Sequence, residues 1–163
     1  MPTRTLSATF IEPGPDAANR LRIEARTESG FDLRFDSLAA AEGGIGPGPT
    51  ESILATLAAC TAMDVASILR KKRQRVESYR IQVNAQKREA HPQVFTAISV
   101  EHQVSGEVTV DALRRSIELS ATAYCPVSAM LSGSVPIEHR YRLQRDGAEE
   151  EVGLAAHTGP PAG

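Results

Sequence analysis

Apolar and polar residues alternate at three places in the first 35 positions. Leu6, Ala8 and Phe10 share one face of 5–11, Leu21, Ile23 and Ala25 alternate with Arg22, Glu24 and Arg26, and Phe31, Leu33 and Phe35 share a third face. A period of two is that of a half-buried strand. The intervening Pro13-Gly14-Pro15-Asp16 and Ser29-Gly30 carry turn chemistry, so the first third reads as an antiparallel meander. The pattern then changes. Residues 52–69 are apolar nearly all round, broken only by small polar residues and Asp64, and such a helix must be buried on most faces in a core or a subunit interface. Thr50 is placed as its N-cap, with Pro49 just outside and Glu51 in the first turn. The basic run Arg70-Lys71-Lys72-Arg73-Gln74-Arg75 suits its C-terminal end.

Strand periodicity returns at 79–86 and at 94–104, where Val94, Thr96, Ile98, Val100 and His102 fall on one face. Helical spacing of Leu113, Ile117, Leu119 and Ala121 follows over 112–123. Pro126 then opens a short helix at 126–131, at the first-turn position that proline favours. A last strand is expected at 135–143, while the Gly-, Ala- and acid-rich residues 144–163 are expected to be a disordered tail. Residues 1–143 form the expected domain, and helices inserted between runs of strands make the fold class α+β.

Composition removes several functions. A formal net charge of −2 and a pI near 6.1 give no general attraction to nucleic acid, and the basic run lacks the aromatic neighbours of a binding patch. The glycine-rich segment 39–49 has no Gly-Lys-Ser/Thr and no GxGxxG, so it reads as a loop rather than a phosphate cradle. The N-terminus lacks the apolar stretch of a signal peptide, and no segment is expected to span a membrane, which points to the cytoplasm. His91, His102, His139 and His157 are scattered, and with only Cys60 and Cys125 no zinc spacing appears.

The two cysteines, 65 residues apart, are the chemistry left to explain. Only the fold can bring them together, and in a reducing compartment they are either small core residues or a reactive pair. The segment GPGPTESILATLAACTAMDVASILRKKRQRV around Cys60 and AYCPVSAMLSGSVPIEHRYRL around Cys125 resemble the OsmC/Ohr superfamily of osmotically induced and organic-hydroperoxide-resistance proteins, over about 21–143. The resemblance implies an OsmC-like fold of antiparallel sheets with a long buried central helix, in an intertwined homodimer. It implies thiol peroxidase chemistry with no metal or organic cofactor. Cys60 would be the peroxidatic thiol and Cys125 the resolving one, with hydroperoxide as substrate and a lipoyl-type dithiol as reductant. It further implies an arginine from an early strand beside Cys60, for which Arg22 is preferred over Arg20 and Arg26, and an acid near the start of the central helix. Glu51 is the candidate acid, but it stands nine residues before Cys60 where ten is the family's spacing, and Thr50 holds that place. In a straight helix nine residues is about a half turn, which directs Glu51 away from Cys60. Asp64, one turn after Cys60, would oppose its ionisation and is assigned a structural role. The alternative is an inert dimer of the same fold that binds a small apolar or thiol-containing ligand.

Overall fold

The computed structural model describes residues 4–11, 20–37 and 43–161. The chain divides into two compact units, 1–53 and 54–163.

The first unit is the expected meander, β1 (Leu6–Ile11), β2 (Arg22–Thr27) and β3 (Asp32–Asp36), antiparallel throughout. Its register places Phe10 opposite Ile23 and Ile23 opposite Phe35, so the alternating apolar residues line up across the strands. Gly30, at φ 89°, makes the β2–β3 turn, and the Thr27 hydroxyl accepts the Phe31 amide. Gly46 permits a close backbone approach, since a Cβ there would fall 2.1 Å from the Arg34 carbonyl oxygen. The turn expected at 13–16 and residues 39–42 of the glycine-rich segment lie outside the described residues.

Helix α1 (Pro49–Lys71) starts at the end of the first unit and runs through the second. Pro49 is its first residue rather than its stop signal, a position where proline's missing N–H costs nothing. By length and composition α1 is apolar enough to cross a bilayer, contrary to the expectation that no segment would be. Within its unit, however, it is a core helix: Leu57, Thr61, Val65 and Leu69 recur every fourth residue and are fully buried.

These residues sit on a four-stranded sheet of order β4 (Arg75–Lys87), β5 (Phe95–Glu107), β6 (Ile137–Gln144) and β7 (Glu151–Thr158). Strands β4–β5 and β6–β7 are antiparallel, but β5 and β6 are parallel, so the sheet is mixed rather than antiparallel as expected. A parallel pair needs a crossover. Here it runs through α2 (Val110–Leu119), a π-helical turn (Ser120–Tyr124) and α3 (Pro126–Leu131). The tail expected to be disordered instead supplies β7, which satisfies the backbone groups of β6.

The buried face of the sheet holds two apolar clusters. Leu57 joins Ile98, Val100, Cys125, Val135 and Ile137 in one, and Val65 and Leu69 join Val104, Leu113, Ile117, Tyr141 and Leu143 in the other. Between them on each element lies a fully buried polar residue: Thr61 on α1, His102 on β5 and His139 on β6.

Candidate thiol site

Strand alternation explains the polar band. In β5 the buried positions are Ile98, Val100, His102, Val104 and Gly106, and in β6 they are Ile137, His139, Tyr141 and Leu143. The parallel register sets His102 opposite Tyr141 and His139 opposite Val100, so the two imidazoles meet on the diagonal, with Nε2 of His102 3.4 Å from Nδ1 of His139. The Tyr79 hydroxyl lies 2.7 Å from the other nitrogen of His102. Burial holds the Tyr79 hydroxyl protonated, well above the usual tyrosine range. His139 Nε2 is buried and has no partner among the described residues. Burial lowers His102 to about 3, helped by the neighbouring His139, and burial alone lowers His139 to about 4, so both rings are neutral.

The cysteines meet beside Thr61. Cys60 is half-buried on α1, and Cys125 is buried at the start of α3. Cys125 has extended backbone angles, precedes Pro126 and caps the helix, its sulfur accepting the Ser128 amide at 3.3 Å. The Sγ atoms of Cys60 and Cys125 and a carboxylate oxygen of Asp64 all lie within 4.8 Å of one another. Asp64 is four residues after Cys60, hence on the same helical face, and its carboxylate accepts the hydroxyl of buried Ser120 at 3.0 Å. Ser120 owes its place to the π-helical turn, a device common at functional sites.

The Thr61 hydroxyl, which donates, lies 2.8 Å from the Leu57 carbonyl and 3.7 Å from Cys125 Sγ. Cys60 in turn hydrogen-bonds to Cys125 and receives the Val127 amide. The Cys60 thiol is pushed up to about 11, first by burial, then by its bond to Cys125, then by the charges of Cys125 and Asp64, with the Val127 amide pulling the other way.

Of the residues singled out in the sequence, the fold thus brings Cys60 and Cys125 together and adds Asp64 to them. Arg22 and Glu51 belong to the first unit and have partners there. Arg22 pairs with buried Asp36 at 3.3 Å and donates to the Gly43 carbonyl at 2.8 Å, while Arg20 reaches the same carboxylate at 3.6 Å. Glu51 accepts the Gly48 amide at 3.3 Å, three residues back, as in a capping box. Sequence reasoning missed the roles of Thr61, Ser120 and the Val127 and Ser128 amides. Spacing from Cys60 was the one available signal for Asp64, whereas the partners from 120–128 depend on the crossover.

Residues 41–140 match the family model described as OsmC-like protein, and the chain belongs to that family. It is 38% identical over 124 residues to Protein YhfA of Escherichia coli K12, a match covering 76% of this chain and 90% of that one. Among solved structures, a hypothetical protein from Aquifex aeolicus VF5 superposes with a TM-score of 0.72 at 26% identity, covering 90% of this chain and 99% of that one. The organic hydroperoxide resistance protein OhrB of Bacillus subtilis shares the fold at a TM-score of 0.57 and 17% identity, covering 87% of this chain and 98% of that one.

Proposed function

We propose that this protein is a cysteine-based hydroperoxide reductase acting in the cytoplasm as a homodimer. The observation that carries the reading is the Cys60–Cys125 pair, whose sulfurs lie within 4.8 Å of each other with one thiol half-buried and the other behind it. The half-buried thiol is the one a substrate can reach. As thiolate, Cys60 attacks the O–O bond of ROOH; the departing alkoxide takes a proton and leaves as ROH, and the sulfur becomes a sulfenic acid. The Cys125 sulfur then displaces water from it to form the disulfide, and an external dithiol returns both thiols in exchange for its own disulfide. Arg22 and Glu51 are retained as the candidates for lowering the Cys60 pKa and orienting that cation. A homodimer would cover the apolar residues α1 leaves exposed, Met63 foremost at 74%.

The raised thiol pKa of Cys60 favours a second reading, in which the pair stays reduced and the protein binds a small apolar or thiol-containing ligand. Intact mass after one equivalent of cumene hydroperoxide separates them. For the enzyme, the wild type loses two hydrogens, Cys125→Ser gains one oxygen, and Cys60→Ser is unchanged. An unchanged wild-type mass sinks the peroxidase reading.

A further inference from the structure

We infer that the reduced Cys60–Asp64–Cys125 cluster is a binding site for a thiophilic divalent cation of the zinc type, one ion per chain. The proposal is independent of the peroxidase reading and concerns the same sulfurs in their unreacted state.

The ligand set is borderline-soft, two thiolates and one carboxylate, and these are the donors that zinc, cobalt(II) and cadmium take. The geometry is close to what the ion demands. Zinc–sulfur bonds of about 2.3 Å in a tetrahedron put two sulfurs about 3.8 Å apart. The three donor atoms already lie within 4.8 Å of one another, so about 1 Å of closure completes the triangle. Such a closure is within the reach of small torsional adjustments of Cys60 and Asp64, both only half-buried. Cys125 contributes from the buried side, which leaves the fourth coordination position facing the open side of the site.

The surroundings are those of an oriented metal site rather than of three unrelated groups. The Ser120 hydroxyl fixes the Asp64 carboxylate, and the Ser128 amide donates to the Cys125 sulfur at 3.3 Å. The Val127 amide donates to the Cys60 sulfur. Donors of this kind to ligand atoms fix their direction and stabilise the thiolates once formed. No Cys-x-x-Cys spacing marks the site, because two of its ligands are one helical turn apart and the third arrives on the crossover. Occupation replaces two thiol protons by the metal and withdraws both sulfurs from hydroperoxide.

The test uses the full-length reduced protein, kept reduced with a phosphine, titrated with Co2+ under argon. Expected are thiolate-to-cobalt charge-transfer bands in the near ultraviolet and the strong visible bands of tetrahedral cobalt, saturating at one ion per chain. Release of about two protons per ion is expected near neutral pH, with displacement of the bands by Zn2+. Asp64→Asn and Cys125→Ser should each weaken binding by roughly tenfold or more, with circular dichroism showing the variants folded. No charge-transfer band with both thiols reduced, saturation at half an ion per chain, or Asp64→Asn binding like wild type would each overturn the site. Hydroperoxide consumption by the metal-free protein is assayed separately, so loss of the cobalt bands with consumption intact refutes this inference alone.

Discussion

The buried histidine pair predicts a steep acid instability. In the unfolded chain His102 and His139 titrate near 6.5, while in the folded protein burial lowers them to about 3 and about 4. The folded state therefore refuses protons that the unfolded state takes. Stability is fully present above pH 6.5 and is lost as pH falls through 6.5 towards the folded values. Each unit of pH in that interval costs about 1.4 kcal/mol per histidine. Two histidines give a slope of roughly 2–3 kcal/mol per pH unit between about pH 6 and 5, and a loss of about 4 kcal/mol by pH 5. That is a large part of the roughly 5–15 kcal/mol that holds an ordinary domain together. Urea unfolding at fixed protein concentration, followed at pH 7, 6, 5.5 and 5, measures it. His139→Leu removes one titrating ring together with the unpartnered Nε2 and should roughly halve the slope, to about 1.4 kcal/mol per unit. A wild-type slope near zero, or an unchanged slope in His139→Leu, would refute the argument.

At the alkaline end the sign reverses for Cys60. Its folded pKa of about 11 lies above the unfolded value, so its contribution is whole below about pH 9 and declines as pH climbs towards 11; Cys60→Ser should remove that part of the thermal-stability profile between pH 9 and 11. Asp64→Asn removes a charge within 4.8 Å of the sulfur, worth about 0.9 kcal/mol in a water-like dielectric. Iodoacetamide should then alkylate metal-free Cys60 about fourfold faster at pH 8, and a slower reaction in the folded variant would show that Asp64 promotes the thiolate. Gly106→Ala should lower the urea midpoint by more than an ordinary surface change, since Gly106 has φ 121° and a Cβ would sit 2.3 Å from the Arg75 carbonyl oxygen; an unchanged midpoint would show that the β4–β5 bulge relaxes freely. Leu57→Ala should cost about 2–5 kcal/mol by opening a cavity in a fully buried position, measured by the same denaturation.

Most elements were legible because their periodicity reflects one-sided burial. Of the residues that alternation at 94–104 set on one face, Ile98, Val100 and His102 face the core while Val94 and Thr96 are exposed, and the all-round apolar helix was found within three residues of its observed start. What failed depended on distant pairing. Residues 144–163 offered glycine, alanine and acids, with little intrinsic strand preference, yet β7 forms because β6 has an edge to pair. Gly153, which reads as a flexible residue, is needed there because a Cβ would strike the Tyr141 hydroxyl at 2.6 Å. The parallel β5–β6 pair was equally hidden, since the crossover's direction is written in no local pattern. The candidate site divides the same way. Both cysteines and the spacing of Asp64 were visible in the chain, but Ser120 and the 127–128 amides enter only with the fold, and Glu51's position three residues after Gly48 fits its capping contact.

The crossover also orders events in time. Helix α1 holds Cys60 and Asp64 through local bonds and can form early, whereas Cys125 takes its place only when β6 has come alongside β5 after a long excursion of chain. Closing that loop is entropically the more demanding step, and until it closes the two sulfurs belong to separate regions of an open polymer. The approach of one thiol to the other is therefore a clock internal to the molecule. A bifunctional thiol crosslinker added at intervals during refolding would time the docking of the parallel strand with no label and no added probe residue.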